Sequence, residues 1–324
     1  MKIVVPGGTG QVGGILGRAF AQAGHEVVVL SRKAGGSPFR VVPWDAATVG
    51  DWAREIDGAD VVVNLAGRSV DCRYGAANRR AILDSRVRST RAVGEAIAAA
   101  ARPPRVWLQA STATIYAHRY DAPNDEATGI LGGDEAGVPE TWRFSIDVAK
   151  AWEMAAGERA LPKTRLVLLR SALTLSPDRG GIFDVLLALT RRGLGGKSGD
   201  GRQFVSWIHD EDFARAVAWL IEREDMAGPV NLAAPHPLPN ADFMRALRAA
   251  WGARVGLPAS RLMLEVGAFF LRTETELVLK SRRVVPRRLL ESGFRFRFPE
   301  WPEAAADLCR RWRTARTTNG GGSR

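Results

Sequence analysis

Cysteine, histidine and tyrosine are scarce in this 324-residue sequence, which contains two, four and three of them respectively. Cys72 and Cys309 are far apart, and their separation matches no metal-binding or redox motif. The sequence also contains no carboxylate pair or cluster of metal-ligand type. We therefore expect no disulfide framework and no metal site, and a reducing cytoplasmic location fits this cysteine usage best.

Long hydrophobic runs are also absent. No segment reaches the roughly 18 consecutive apolar residues that a transmembrane helix needs. The first residues enter a strand-like run directly, without the features of a secretory leader. Because 46% of the residues are apolar, the chain can bury a large core. We expect a globular protein of about two domains with no membrane partner.

Acidic residues are too few to balance the basic ones, and the formal net charge is +11. Residues 280–324 carry 12 Lys and Arg against 4 Asp and Glu. Such a segment could contact nucleic acid or anionic lipid. A solvated basic face is the favoured interpretation, because no nucleic-acid motif accompanies the charge. We therefore expect no nucleic-acid partner, and a flexible basic tail over residues 309–324.

Short β-rich runs alternate with helical patterns over residues 1–175. Strands are predicted at Lys2–Val5, Glu26–Leu30, Asp60–Leu65, Val106–Gln109 and Arg165–Leu169, and helices at Val12–Ala23, Ala76–Ala101 and Asp147–Glu158. The continuous apolar character of Asp60–Leu65 is typical of a strand buried on both faces. This alternation predicts an α/β fold, a doubly wound parallel sheet with right-handed crossovers.

The pattern changes after about residue 175, where glycine-rich loops interrupt amphipathic helices. Helices are predicted at Ile182–Arg192, Asp210–Glu224, Asn240–Trp251 and Leu262–Leu279. We expect residues 176–308 to form a smaller, mixed and mostly helical lobe on the substrate side, over the carboxyl edge of the sheet. Residues 203–235 could complete the sheet of the first domain.

A glycine-rich turn links the first strand to the first helix. It comprises Gly7, Gly8, Thr9, Gly10, Gln11, Val12 and Gly13. Gly7 would permit a tight turn, Gly10 a close approach of backbone to a pyrophosphate, and Gly13 close packing of helix on sheet. The helix N-terminus offers free N–H groups and partial positive charge to phosphates. The turn predicts a dinucleotide site.

The second strand ends in Ser31-Arg32-Lys33. An NAD-selective site usually has Asp or Glu here, to bind the ribose 2′-hydroxyl. A hydroxyl and two cations suit a 2′-phosphate instead, so the sequence favours NADP(H). A solvated charge pair at the start of a loop is the alternative.

Two further segments could complete this pocket. Asp45 could reach the adenine amino group, and the strand end Asn64, Leu65, Ala66, Gly67 could line the ribose and pyrophosphate. Asp and Gly are also ordinary loop formers, and residue type alone does not separate these roles.

The chain resembles the extended, epimerase/dehydratase-like short-chain dehydrogenase/reductase superfamily. The general pieces are Gly7–Gly13, Asn64–Gly67, Ala110–Tyr116 and Leu169–Ser171. More specific segments resemble the atypical "epimerase family" branch with a C-terminal extension: Gly193–Gly196, Gly199–Gln203, Ser206–His209 and Arg283–Leu290. The resemblance covers Met1 to about Leu308, and it implies a Rossmann-type fold and NADP(H) binding.

The resemblance also implies individual cofactor residues. In that branch the cofactor contacts match Ser31, Arg32, Leu65, Ala66 and Arg86 of this chain. Thr174 matches a position near the nicotinamide half. Arg86 could alternatively be one of many exposed helix arginines.

The superfamily's proton-transfer residues are a Ser or Thr, a Tyr, and a Lys four residues after the Tyr. Thr112 matches the first of these. Counting back from Glu153, Ser145 and Ala149 occupy the Tyr and Lys positions. Lys150 is one residue away, a rotation of about 100° around a helix. Tyr116 follows the strand of Thr112.

We keep Thr112, Tyr116 and Lys150 as catalytic candidates, although Tyr116 suits a packing role better. His209 is another acid/base candidate, for which a structural hydrogen bond is the commoner role. Asp147 and Glu153 are helix carboxylates with no partner evident in the sequence.

Two functions therefore stay open. One is an NADP(H)-dependent oxidoreductase or epimerase of unknown small-molecule substrate, with an atypical site that lacks Tyr-x-x-x-Lys. The other is a non-catalytic NADP(H)-binding sensor or scaffold. By analogy with the superfamily, the protein is a monomer or a homodimer.

Overall fold

The computed structural model describes the backbone of residues 1–33, 35, 37–260, 263 and 279–320, with side chains up to Thr317. The strands are β1 Lys2–Pro6, β2 Glu26–Ser31, β3 Arg40–Pro43, β4 Val61–Asn64, β5 Val106–Thr112, β6 Arg165–Ser171, β7 Leu173–Leu175, β8 Phe204–Val205, β9 Trp207–His209, β10 Gly228–Leu232 and β11 Leu238–Pro239. The helices are α1 Gln11–Gln22, α2 Ala76–Ala99, α3 Glu140–Gly157, α4 Ile182–Arg191, α5 Asp210–Glu222, α6 Asn240–Trp251, α7 Arg287–Glu291 and α8 Trp301–Gly320. Short 3₁₀ turns lie at Asp51–Glu55 and Ala113–Ile115.

The chain divides into two compact units that are not contiguous in sequence. The first unit comprises Met1–Ile115, Leu131–Ser171 and Ala214–Asn231. The second comprises Tyr116–Ile130, Ala172–Phe213 and Leu232–Arg324. The chain passes between the units five times, and the expected boundary near residue 175 is close to one of these crossings. No change in composition marks the other four.

The first unit is built on a seven-stranded sheet in the order β10-β6-β5-β4-β1-β2-β3. The pairs of β1 with β2 and β4, of β2 with β3, and of β5 with β4 and β6 are parallel. Every residue of β4 is buried, as expected for a strand with helices on both faces. The predicted doubly wound, Rossmann-type sheet is confirmed, and β10 from the region 203–235 forms one edge.

The second unit has an aromatic core. The ring of Trp301 stacks on Phe243 at 4.1 Å and lies 5.1 Å from the ring of Trp207. Trp301 Nε1 donates a hydrogen bond to the carbonyl of Phe243 at 2.8 Å, so the indole is buried with its polar atom satisfied. Parallel pairing of β7 with β9 and antiparallel pairing of β8 with β11 complete the small sheets of this unit.

The expectation of a flexible tail is wrong for residues 309–320, because α8 extends through them to Gly320. Leu308, Cys309 and Trp312 are buried in the core of the second unit. Trp301, Ala304, Leu308 and Trp312 recur at helical spacing, a pattern made less evident by Arg310 and Arg311 within it and by Arg313 and Arg316 after it. The predicted helix Leu262–Leu279 lies almost wholly outside the described residues. Among the helices of the described chain, none has the length and apolarity required to cross a membrane.

Candidate functional site

The glycine turn of the first unit connects β1 to α1. Gly7 has a φ of +76°, and a Cβ at this position would lie 2.7 Å from the Cα of Ala66. A Cβ on Gly13 would lie 2.3 Å from the carbonyl oxygen of Gly8. Gly10 differs, because its Cβ would meet nothing nearer than the Gly7 carbonyl at 3.9 Å. Packing therefore requires Gly7 and Gly13, whereas Gly10 faces open space.

The N-terminus of α1 is available to an anion. Gly10 is the N-cap residue and offers no side chain to cap the helix, and the first turn contains no acidic residue. The amides of Gln11, Val12 and Gly13 have no partner within the helix, because the first four N–H groups of a helix point beyond it. The Nε2 atom of Gln11 is buried and has no hydrogen-bond partner within the described part of the chain. This end of α1 thus presents donors and partial positive charge.

The end of β2 carries Ser31, Arg32 and Lys33. The Ser31 hydroxyl accepts a hydrogen bond from the backbone N–H of Lys33 at 3.2 Å, and its carbonyl accepts one from Trp44. Arg32 and Lys33 are exposed, and neither forms an ion pair with a carboxylate among the residues that the structure describes. Both cations are therefore available to an anionic ligand.

Asp45 is bound within its own loop. Its Oδ1 accepts hydrogen bonds from the amides of Ala47 and Thr48 at 2.9 and 3.0 Å, and Oδ2 accepts one from the Thr48 hydroxyl. These bonds, chiefly that of the Thr48 hydroxyl, lower the pKa of Asp45 below its usual value. The next residue, Ala46, has a φ of +62°. The geometry matches a loop former, and it leaves the proposed adenine contact a prediction.

Asn64 shapes the end of β4 from inside the sheet. Its Nδ2 donates to Gln109 Oε1 at 2.8 Å, and its Oδ1 accepts the amide of Ala66 at 3.1 Å. The amide of Leu65 in turn donates to the carbonyl of Pro6 at 2.8 Å. Asn64 is fully buried, so its side chain holds the Leu65–Gly67 backbone beside the glycine turn.

Arg86 of α2 lies against this strand end. Its Nη1 donates to the carbonyls of Arg68 and Ile82 at 3.0 and 3.2 Å, and its guanidinium lies 4.9 Å from the ring centre of Trp152. A Cβ on Gly67 would lie 3.2 Å from Arg86 Cζ. Burial lowers the pKa of Arg86 to about 10.

The Arg86 guanidinium forms no ion pair with any carboxylate of the described residues. A half-buried cation without a counter-ion is unfavourable unless a ligand supplies the charge. The sequence alone did not distinguish Arg86 from an exposed helix arginine, and its contact with the cofactor stays a prediction.

Glu153 of α3 has partners, contrary to the expectation from the sequence. Arg170 of β6 donates to it through Nε and Nη2 at 2.9 and 2.8 Å, and Ser111 of β5 through its hydroxyl at 2.5 Å. The Arg170 side chain is 8% exposed and that of Glu153 11%. The sequence showed all three residues but not that Ser111 and Arg170 are opposite each other on paired strands, where α3 brings Glu153 to them.

The catalytic candidates of the first unit do not form one cluster of hydrogen bonds. Thr112 is paired with Ser171, and its hydroxyl accepts the amide of Thr114 at 3.1 Å. Lys150 Nζ lies 3.9 Å from Asp134 Oδ2, across an exposed loop. Ala149 is buried in α3, one helical turn before Glu153 and therefore on the same face.

The remaining candidates lie in the second unit. The Tyr116 ring is buried, and a Cβ on Gly129 would lie 2.7 Å from its Cε1. Thr174 pairs with Ile208 in the β7–β9 ladder. His209 is fully buried, with Nε2 at 3.1 Å from Asp307 Oδ2, and its Nδ1 accepts the amide of Glu211 at 3.2 Å.

Burial lowers the pKa of His209 and outweighs the nearby carboxylates. The neutral tautomer that accepts at Nδ1 and donates at Nε2 satisfies both contacts. His209 therefore has a structural hydrogen-bonding arrangement, which was the favoured interpretation of the sequence.

Two family models match the chain. The NAD dependent epimerase/dehydratase family matches residues 3–233, and a domain of unknown function, DUF1731, matches residues 260–308. Among individual proteins, the chain is 36% identical to the bovine epimerase family protein SDR39U1 over 314 residues, covering 95% of this chain and 99% of the relative. It is 29% identical to the epimerase family protein YfhF of Bacillus subtilis, with 95% and 98% of the two chains covered.

Solved structures of epimerases are also similar to this chain over nearly its whole length. The human epimerase family protein SDR39U1, crystallised with NADPH, superposes with a TM-score of 0.83 at 32% identity, covering 96% of this chain and 99% of that one. A nucleoside-diphosphate sugar epimerase from Corynebacterium glutamicum superposes with a TM-score of 0.73 at 29% identity, covering 95% of this chain and 58% of that one.

Proposed function

Because the chain belongs to the NAD dependent epimerase/dehydratase family, we propose that its first unit binds NADP(H) and that the protein is an oxidoreductase or epimerase. The observation that carries the proposal is the set of uncompensated positive groups around the glycine turn. The uncapped N-terminus of α1, the exposed Arg32 and Lys33, and the unpaired Arg86 all lack a carboxylate partner in the described structure. The human relative that was crystallised with NADPH supports the choice of cofactor.

In this proposal each group of residues holds one part of the cofactor. The turn Gly7–Gly13 and the first amides of α1 bind the pyrophosphate, with Gly10 leaving room for it. Ser31, Arg32 and Lys33 bind the 2′-phosphate. The backbone of Asn64–Gly67 and the Arg86 guanidinium line the ribose and phosphates, while Asp45 contacts the adenine.

The cofactor supplies a hydride donor or acceptor, and the protein must supply the proton. Thr112 remains the candidate for a hydroxyl that hydrogen-bonds the reacting oxygen, with Tyr116 and Lys150 as candidates for proton transfer.

The two cysteines of the chain are free, and Cys309 is buried. This cysteine usage supports a cytoplasmic location.

A non-catalytic sensor or scaffold is the second candidate. The buried Ala149 supports it, because an alanine on the face of α3 that also carries Glu153 cannot lower the pKa of a tyrosine. In this case NADP(H) would bind without being oxidised or reduced.

Direct titration of the purified protein with NADPH and NADH tests the cofactor assignment. A turnover screen tests whether the protein is an enzyme. We expect saturable NADPH binding, followed by loss of NADPH absorbance with one member of a panel of carbonyl compounds, sugar nucleotides and quinones. Absence of NADPH binding would overturn the whole proposal. Binding without turnover across the panel would favour the sensor.

A further inference from the structure

Helix α4 of the second unit is apolar on both of its faces. Phe183 and Leu187 point into the core and are fully buried. On the opposite side, Ile182, Val185 and Leu189 are spaced three and four residues apart and are exposed. A surface helix normally carries charged or polar residues on its outer face, so an apolar outer face indicates that something else covers it.

The exposed apolar surface continues beyond the helix. Gly193 ends α4 with a φ of +75°, and the amide of Leu194 donates to the carbonyl of Leu189 at 2.9 Å. The carbonyl of Gly193 accepts the amide of Leu257 at 2.7 Å, which brings the loop at Val255–Leu257 beside Leu194.

We name this region the α4 surface. The exposed fractions of its side chains run from 38% to 59%, and its members are Ile182, Val185, Leu189, Leu194, Val255 and Leu257.

Cations predominate among the exposed charged residues next to the α4 surface in sequence. Five exposed cations lie within a few residues of it: Arg179, Arg191, Arg192, Lys197 and Arg254. None of the five forms an ion pair with a carboxylate of the described chain.

The carboxylate of α4 itself, that of Asp184, points inward. It accepts hydrogen bonds from Trp312 Nε1 at 2.9 Å and from Arg316 at 3.1 Å. The outer face therefore combines apolar side chains with cations that form no ion pair in the described chain, although the charge of Arg179 acts on Asp184 and helps to lower its pKa.

We propose that the α4 surface is a docking site for an anionic lipid surface. Apolar side chains of this kind enter the boundary between headgroups and acyl chains, and neighbouring Arg and Lys residues bind lipid phosphates. A second copy of the chain is a poorer fit, because a two-fold contact would bring the same cations together. Peripheral attachment needs no membrane-crossing helix, so the proposal is compatible with the absence of such a helix from the described residues.

Co-sedimentation with vesicles tests the proposal. We expect the wild-type protein to sediment with phosphatidylglycerol-containing vesicles at low salt, more weakly at high salt, and least with pure phosphatidylcholine. Val185→Gln combined with Leu257→Gln should weaken binding at least about tenfold. Arg192→Gln combined with Arg254→Gln should weaken it by about fivefold for each cation removed.

Matched variants on the first unit control for the overall basic charge. Met154 and Arg54 are exposed there, and Met154→Gln and Arg54→Gln should leave vesicle binding unchanged. Equal losses in both sets of variants would overturn the proposal, since binding would then reflect net charge alone. A wild-type protein that stays in the supernatant would overturn it as well. So would concentration-dependent dimerisation that Val185→Gln abolishes, because the surface would then be a contact between protein chains.

Discussion

Glu153 and Arg170 form a buried, two-point ion pair, with Arg170 Nε at 2.9 Å from Glu153 Oε1 and Nη2 at 2.8 Å from Oε2. The Ser111 hydroxyl is a further donor to the same carboxylate. The pair joins α3 to the ends of β5 and β6, next to Thr112. Because Ala149 and Glu153 lie one turn apart on α3, this pair also fixes the orientation of the helix face that carries Ala149.

Glu153→Gln should destabilise the first unit strongly. The substitution removes the charge that compensates a buried guanidinium, and breaking such a pair costs about 3–5 kcal/mol. Denaturant unfolding measures the change. The control is Glu158→Gln, which breaks the exposed pair with Arg91 and should cost about 1 kcal/mol or less. Equal effects would mean that Arg170 is compensated in some other way.

Gly10→Ala should separate cofactor binding from folding. A Cβ on Gly10 meets only the Gly7 carbonyl at 3.9 Å, and the residue already has a negative φ of −77°. We expect the free energy of unfolding to change by about 0.5 kcal/mol or less. NADPH affinity should fall at least about tenfold, since the methyl group occupies the space through which a pyrophosphate approaches.

Gly13→Ala is the contrasting variant. Its Cβ would lie 2.3 Å from the carbonyl oxygen of Gly8, a backbone atom that cannot move away without shifting the turn. We expect a loss of about 1–3 kcal/mol in the free energy of unfolding. Calorimetry and NADPH titration of the two variants together test the argument, which fails if Gly10→Ala binds NADPH as tightly as the wild type.

Arg32→Glu should change cofactor choice. The exposed guanidinium has no carboxylate partner in the described structure, and a carboxylate in its place would repel a 2′-phosphate while accepting a ribose hydroxyl. NADPH affinity should fall by about 10- to 100-fold, the value of one or two charge-assisted hydrogen bonds. NADH affinity should fall little or rise. Arg54→Glu is the control, and equal weakening of both cofactors by Arg32→Glu would refute the assignment.

Much of the first unit could be predicted because its strands are continuous apolar runs. Val61–Val63 are fully buried. The glycine turn identifies β1, which precedes it, and α1, which follows it. The interleaving of the units could not be predicted, since residues 116–130 have no compositional boundary. α8 was missed because its arginines obscured the apolar spacing of Trp301, Leu308 and Trp312.

The candidate site was predicted in its residue types but not in its contacts. Whether Arg86 has a counter-ion depends on which residues surround it in the fold. Its contacts with Gly67 and Trp152 place it at the end of β4. The role of Glu153 likewise depends on Ser111 and Arg170, which are 42 and 17 residues away in sequence. A single sequence gives no sign of such long-range pairs.

Ala46→Gly should stabilise the protein. Ala46 has a φ of +62°, in the left-handed region that costs a residue with a Cβ about 1–2 kcal/mol. Glycine removes that cost but gains freedom in the unfolded chain, so we expect a net gain of about 0.5–1 kcal/mol. Ala47→Gly, next to it and without a positive φ, should instead lose about 0.5–1 kcal/mol. Thermal unfolding distinguishes the two variants. A loss of stability in both would contradict the claim that the Ala46 backbone is strained.

His209 should make the stability of the protein fall in mild acid. Its pKa is lowered in the folded state by burial, so below about pH 6.5, the value for an unperturbed histidine, the unfolded chain takes up the proton first. The contribution of His209 to the free energy of unfolding is therefore fully present above that pH, and it is lost as the pH falls below that value. His209→Gln keeps an amide that can donate to Asp307 and accept from Glu211 but cannot titrate. We expect the unfolding free energy of the wild type, measured in urea between about pH 7.5 and 5, to fall more steeply than that of the variant. Parallel slopes would show that His209 binds protons equally in both states.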